Sequence, residues 1–310
     1  MLLVLQNINC GKGLKQNSFA TNHLIRLNQW HIPINLKHQV IIMREEIIKI
    51  LHNIEQSEDI EILYACEGGS RAWGFANDSS DYDIRFIYKK RNMKDYLTIR
   101  KPKDVIEVQG DNFDIVGWDV KKALILHFKD NPSLREWLLS DRVYIDRGIE
   151  SVFTGLGGFD KRKLKNHYMS MAKSNWKKYS TLEFSSQKTK KYLYVIRSIL
   201  CWRLLNQDIY PPINMNELLN HDHINLDDDI KCAIQSLIDY HQGRCNLDEY
   251  TILKLNYFIL DSLSSMKASR AKSLKQFDDY DERFRELLMV CRWKFCENVM
   301  FKPCHIDEVV

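Results

Sequence analysis

The sequence predicts an α+β protein, a sheet-containing domain of roughly 110 residues followed by an all-α domain. Strand-like runs are confined to residues 60–118, and helix-period patterns fill the chain from about residue 160 onward. Only 12 Gly and 6 Pro occur in 310 residues, too few for a turn-rich β-sandwich. A charged fraction of 28%, with 13 Phe, 7 Trp and 14 Tyr, excludes disorder and supplies a sizeable core.

The elements follow in order. Residues 1–42 show weak periodicity and read as an N-terminal extension. From Met43, apolar residues at 47, 48, 50, 51 and 54 predict an amphipathic helix running to about Ser57. Ile60–Cys66 reads as a strand entering a Gly-rich turn, and Arg71–Phe75 as the first turn of a short helix. Asp83–Tyr88, Val105–Val108 and Asn112–Trp118 read as further strands. Helices are expected at 119–129, N-capped by Asp119, and at 133–139 after Asn131-Pro132. Beyond Asp160, helices are expected at 161–180, 187–206, 214–221, 228–241, 246–266 and 279–300, punctuated by Pro211-Pro212 and Gly243. This gives an α/β domain over 43–158 and a helical domain over 159–310.

No run reaches the ~18 apolar residues of a membrane span. The start Met1-Leu2-Leu3-Val4-Leu5 is too short for a signal peptide and lacks a basic leader. Eight thinly spread cysteines with no CxxC pair read as thiols in a reducing compartment, so the cytoplasm is expected. Cys291, Cys296, Cys304 and His305 match no zinc-module spacing. The net charge is only +4, but Lys161 to Lys191 holds ten Lys or Arg and a single acid, Glu183. Such a stripe either tracks phosphates or forms a solvated helix face.

The stretch from Glu67 to Arg85 carries the chemistry. A strand delivers the chain into Gly68-Gly69-Ser70, where glycines let backbone N–H groups converge on an anion and Ser70 adds a hydroxyl. Asp81 and Asp83 follow, two residues apart and on one face of the expected strand, about 6–7 Å from each other. Two such carboxylates either share a divalent cation with triphosphate oxygens or cap a solvated loop. Asp114 lies between apolar neighbours in another strand, costly unless paired or metal-bound. Tyr82, pointing the opposite way, reads as core. Arg71 and Arg85 flank the site, either as triphosphate ligands or as partners of the carboxylates. Lys190, Tyr194 and Arg197 fall at i, i+4 and i+7 of one helix face, placed to hold triphosphate and stack on a base, or merely to snorkel. Trp73 and Trp118 read as core, His167 as structural, and Asp227-Asp228-Asp229 as an acidic helix start.

Gly69-Ser70, Asp81-x-Asp83 and Asp114 together resemble the active-site pattern of the DNA polymerase β nucleotidyltransferase superfamily. Ala65–Phe75, Ser80–Phe86 and Gly117–Leu124 more closely resemble the RlaP (YcgL-like) family of predicted nucleotidyltransferases linked to RNA repair. Asn131–Leu138 and Lys190–Arg197 are similar to it as well. Gly68 stands where the family is expected to carry Ser, which keeps the turn and removes a hydroxyl. Met43-Arg44-Glu45 resembles a family N-terminus, so Met43 is expected as the native start; an intact native mass that includes residues 1–42 would refute this. The resemblance implies a polymerase-β-like domain with a mixed sheet. It implies Gly68, Gly69 and Ser70 around a nucleoside triphosphate, ATP foremost, with Arg71, Lys190, Tyr194 and Arg197 as the further candidates that spacing offers. It further implies Asp81, Asp83 and Asp114 around two Mg²⁺ ions, with Mn²⁺ as a substitute, and transfer of a nucleotide with release of pyrophosphate. The expected acceptor is an RNA 3′ end such as that of tRNA. Adenylylation of a protein hydroxyl, or nucleotide or RNA binding without catalysis, are the rival readings.

Overall fold

The computed structural model describes residues 34–99, 102–110, 112–180, 186–271 and 275–296. The chain forms two compact units, Met1–Lys49 and Ile50–Val310. In the first unit the described residues are helical. They begin helix α1 (Ile34–Ser57), which therefore starts before Met43, inside the stretch whose periodicity is weak.

The second unit places a five-stranded sheet ahead of a helical array. Its elements are β1 (Ile60–Glu67), α2 (Gly69–Ala72), β2 (Tyr82–Lys90), a 3₁₀ turn at Met93–Tyr96, β3 (Val105–Gln109) and β4 (Phe113–Asp119). They continue with α3 (Val120–Phe128), α4 (Pro132–Leu138), β5 (Val143–Asp146) and α5 (Ile149–Phe153). The helical part comprises α6 (Lys161–Tyr179), α7 (Ser186–Asn206), α8 (Met215–Leu219), α9 (Asp228–His241), α10 (Glu249–Ser265) and α11 (Phe277–Cys296). Strand order is β3-β4-β2-β1-β5. Among the described residues only the β2–β4 pair is parallel, so the sheet is mixed.

Local chemistry fixes the helix starts. The Asp119 carboxylate accepts from the Lys121 N–H at 2.8 Å and from the Tyr96 hydroxyl at 2.9 Å, ending β4 and starting α3. The Asn131 side chain accepts from the Leu134 N–H at 3.0 Å, with Pro132 where no N–H is needed. Asp228 and Asp229 open α9, and Asp229 pairs with Lys254 at 3.3 Å. His167 is exposed, and Cys291, Cys296, Cys304 and His305, read as no zinc module, lie outside the residues whose side chains are described.

Two apolar cores hold this unit. One lies against the sheet, where Trp118 stacks on Trp137 at 3.6 Å and Leu124, Leu134 and Tyr280 are buried. The other fills the helical array around Leu193, Ile196, Leu200, Ile234 and Ile259, and it includes Phe75 from the turn after α2. Gly74, with φ +83°, presses this turn onto α8. A Cβ there would sit 2.7 Å from the Asn214 Nδ2, and the Met215 N–H donates to the Trp73 carbonyl at 2.8 Å. The turn after β1 is thereby anchored to the helices.

Candidate active site

The site begins where β1 runs out. Glu67 is buried at 1% exposure; its Oε1 accepts from the Asp83 N–H at 2.9 Å, and its Oε2 accepts from the Tyr144 hydroxyl. Burial raises its pKa, against the lowering pull of these bonds. The Gly68 N–H donates to the Asp83 carbonyl at 2.7 Å, fixing the turn against β2. Gly69 adopts φ +55°, and a Cβ at this position would lie 1.8 Å from the Asp83 Oδ2. Only glycine lets the turn approach that carboxylate so closely.

Ser70 follows on α2, 1% exposed, with an Oγ that has no hydrogen-bond partner. A buried hydroxyl without a partner costs about 1–3 kcal/mol. Gly69 and Ser70 open a helix, so their N–H groups have no intrahelical acceptor. Buried hydroxyl and backbone donors together form a turn that a ligand oxygen would satisfy.

Asp83 and Asp114 are direct partners in the parallel β2–β4 register. Two carboxylates so placed repel, and Arg85 answers both. Its Nη2 donates to the Asp83 Oδ1 at 2.6 Å and to the Asp114 Oδ2 at 2.7 Å, and its Nη1 donates to the Asp114 carbonyl at 2.8 Å. The Asp83 carboxyl is still pushed above its usual range by burial; Arg85 opposes the shift and the Asp114 charge adds to it. Asp114 is the more open of the two, its side chain 41% exposed against 19% for Asp83.

Asp81 lies just before β2 and is exposed, rather than on the strand beside Asp83, although its charge is felt there. Arg71 holds that segment: Nη2 donates to the Ser80 carbonyl at 2.6 Å, Nε to the Asp81 carbonyl at 3.2 Å, and the guanidinium lies 3.9 Å over the Tyr82 ring. Tyr82 is thus half-buried between Arg71 and Phe113 instead of in the core.

Helix α7 brings part of its predicted face to the carboxylates. Lys190 draws the Asp83 pKa down. The Tyr194 phenol is pushed up, first by burial and then by the Asp83 charge, and its ring packs edge-on to Trp73 at 5.2 Å. Arg197, expected on triphosphate, is committed elsewhere. It is buried and donates to the Glu136 Oε1 at 2.9 Å and to the Ile213 carbonyl at 3.2 and 3.0 Å, with its guanidinium 4.5 Å over Trp73. Trp73 itself is partly buried and donates to Glu136 at 3.0 Å.

Sequence reasoning missed Glu67, Tyr144 and Glu136. The signal available for Glu67 was an acid ending an apolar strand, which needs partners; nothing local marks the other two. Among the described residues, no three His, Cys, Asp or Glu side chains are gathered as a ready-made metal cage. The donors nevertheless fit a hard divalent cation. Asp83 and Asp114 already share one cation, the Arg85 guanidinium, beside an unpartnered Ser70 hydroxyl, and carboxylate and hydroxyl oxygens are the ligands such ions take.

Comparison with known proteins shows which chains this one is similar to. The RlaP family, described as an RNA repair pathway DNA polymerase beta family, matches residues 43–289. The uncharacterized protein YcgL of Bacillus subtilis (strain 168) is 36% identical over 258 residues, covering 79% of this chain and 95% of its own. A solved nucleotidyltransferase-like protein from Exiguobacterium sibiricum 255-15 is similar with a TM-score of 0.30 and 10% identity, over 86% of this chain and 97% of that one.

Proposed function

The chain belongs to the RNA repair pathway DNA polymerase beta family, a polymerase-β-type nucleotidyltransferase family, and on that premise we propose that it transfers a nucleoside monophosphate from a triphosphate, ATP foremost, to the 3′ hydroxyl of an RNA such as tRNA. The observation that carries this reading is the register-paired Asp83 and Asp114, bridged by one cation beside the buried, unpartnered Ser70.

In this reading the catalytic domain spans 43–158, and 159–310 helps to hold nucleotide and acceptor. Asp81, Asp83 and Asp114 would hold Mg²⁺, or Mn²⁺ in its place, which when bound would supply charge neutralisation of the triphosphate and a lowered pKa of the attacking hydroxyl. Ser70 Oγ and the N–H groups of Gly69 and Ser70 take oxygens of the leaving β- and γ-phosphates. Gly68 fixes the turn through its N–H, and the Arg71 guanidinium fixes the Asp81 segment, each by donating to backbone carbonyls. Lys190 adds positive charge from α7, and Tyr194 offers its ring to the base. Arg197 serves the site through Glu136 and Trp73. The acceptor oxygen bonds to the α-phosphorus as the bond from that phosphorus to the pyrophosphate bridge breaks. Its proton passes to Asp114, the more open carboxylate of the pair. Free thiols at Cys66, Cys201, Cys232 and Cys245 suit the cytoplasm, where such acceptors reside. Among the described residues no helix is long and apolar enough to cross a membrane.

The test is incubation with Mg²⁺ and each α-labelled nucleoside triphosphate, offering bulk tRNA and cell protein separately, beside an Asp81→Ala/Asp83→Ala double variant. Label in RNA that vanishes in the variant is the expected result. Label in a protein band would move the acceptor to a protein hydroxyl. No label in either would overturn the transferase reading.

A further inference from the structure

Seven of the ten cations of α6 and the start of α7 fall into two groups; Lys165, Lys173 and Lys188 instead donate to Asn206 and to the Met266 and Ser180 carbonyls. In the first turns of α6 they are neutralised: Lys161 pairs with Asp208 at 3.2 Å, Arg162 with Asp160 at 2.8 Å and Lys163 with Asp130 at 3.0 Å. At the far end the pattern changes. Lys177 and Lys178 close α6, Lys190 and Lys191 lie near the start of α7, and among the described residues no acid pairs with any of the four. The α6–α7 hairpin brings these ends together.

Their surroundings are aromatic. The Lys178 Nζ lies 5.1 Å from the Tyr179 ring centroid, and the Lys191 Nζ lies 5.0 Å from the same ring and 5.2 Å from that of Tyr194. Tyr194 in turn feels the charges of both Asp83 and Tyr179. A track of alternating ring and ammonium therefore leads from the end of the hairpin to the candidate catalytic carboxylates. Hydrogen bonding to Lys178, with the charge of Lys191, holds the Tyr179 phenol below its usual pKa, which marks how concentrated the positive potential is.

Single-stranded nucleic acid is bound by this combination, cations following the phosphates and rings stacking on bases. An acidic peptide would use the ammonium groups and leave the ring idle. We propose that Lys177, Lys178, Tyr179 and Lys191 bind the single-stranded 3′ tail of the nucleic-acid acceptor, with a base stacked on Tyr179 and the end of the strand led past Tyr194 to Asp83 and Asp114. This inference rests on the nucleotidyl-transfer reading only for what happens at the end of the strand. The lysines over Tyr179 do not block stacking. An exposed cation–π contact contributes about 0.5–1 kcal/mol, and base stacking about 1–3 kcal/mol. A base therefore displaces an ammonium, which is then free to meet a phosphate.

The test is fluorescence anisotropy of a labelled single-stranded RNA oligomer on the full chain, with a blunt RNA duplex and single-stranded DNA of the same sequence as further arms. Tyr179→Ala should weaken single-strand binding roughly five- to hundred-fold, while Tyr179→Phe, which keeps the ring, stays within about two-fold of wild type. Lys178→Gln/Lys191→Gln should flatten the slope of log affinity against log salt by about 1.4, and Lys161→Gln/Arg162→Gln, in the neutralised turns, should leave it nearly unchanged. Affinity for the nucleoside triphosphate should not move in Tyr179→Ala. Equal binding of wild type and Tyr179→Ala would overturn the track while leaving transferase activity standing, as would a preference for the blunt duplex. Tighter binding of DNA than RNA would keep the track and change the acceptor's sugar. Normal strand binding with no transfer would keep the track and sink the transferase reading.

Discussion

Glu136 is the point where the site turn, the sheet side and the helical array share one buried charge, and Glu136→Gln tests whether that charge is structural. Its carboxylate accepts from the Trp73 Nε1 at 3.0 Å, the Tyr168 hydroxyl at 2.7 Å and the Arg197 Nη1 at 2.9 Å. The Arg197 side chain is 4% exposed and that of Glu136 11%, so water does not replace what is lost. Removing one partner of a buried ion pair typically costs 3–5 kcal/mol. Glutamine keeps one acceptor oxygen for Trp73 or Tyr168, which places the expected loss near the low end, about 3 kcal/mol. At roughly 2–4 °C per kcal/mol, the midpoint of a calorimetric melt should fall by about 6–12 °C. Adding Arg197→Met should recover much of the loss, because an apolar pair of similar volume is often as stable as a buried ion pair. A fall below about 1 kcal/mol in Glu136→Gln would refute the reasoning. So would an Arg197→Met single variant that melts like wild type yet loses triphosphate affinity, since Arg197 would then be reaching for phosphate.

Three further outcomes follow from the same geometry. Arg85→Met leaves Asp83 and Asp114 opposed across the β2–β4 register; with Asp114 41% exposed the cost is screened to about 1–2 kcal/mol, and millimolar Mg²⁺ should raise the melting midpoint more in this variant than in wild type. An equal Mg²⁺ response in both proteins would remove Arg85 from the cation site. Ser70→Ala should leave the melting midpoint unchanged or higher, because the hydroxyl has no partner to lose, while calorimetric triphosphate affinity falls roughly 10–100-fold; unchanged affinity would remove Ser70 from the phosphate turn. Burial lowers the His127 pKa to about 4, so the unfolded chain binds its proton first as pH falls from 6.5 to 4 and stability drops by up to about 3 kcal/mol in that window. His127→Gln should flatten that part of a urea-denaturation pH series, and an unchanged slope would assign the acid sensitivity to another group.

What the sequence discloses is what acts within a few residues. Asp119 and Asn131 cap because a carboxylate and an amide reach the N–H groups two and three residues on, and both helix starts are legible for that reason. The Gly-Gly-Ser turn is legible too, since its backbone demands are local. Pairing is not. The two-residue spacing suggests Asp81 as the neighbour of Asp83, yet β2 begins after Asp81, and the residue facing Asp83 is Asp114 across a parallel register. Strand β5 escapes notice because three of its four residues are half-buried and Asp146 is exposed, at an edge held by β1 rather than by their own pattern. Arg71, Arg85 and Arg197 look alike as candidate phosphate ligands. Their fates are set by Ser80, Asp114 and Glu136, and two of those three partners lie far along the chain.

Arg85 also offsets the repulsion between Asp83 and Asp114, and Gly68 explains why Arg85 can lie where it does. A Cβ at position 68 would stand 3.0 Å from the Arg85 Cγ and 3.4 Å from the Asp83 carbonyl. A larger residue would therefore push the arginine stem away from the turn, whereas glycine leaves room for it to lie flat and reach both carboxylates. Any divalent cation that binds Asp83 and Asp114 must then displace an internal guanidinium that is only 15% exposed and holds three short hydrogen bonds. A divalent ion would carry more charge than the guanidinium, and a triphosphate would supply further ligands, so the two together would compete with Arg85 better than the metal alone. On the proposed function, binding of the two would be coupled through one side chain, with a strength set by how firmly the turn at Gly68 seats Arg85.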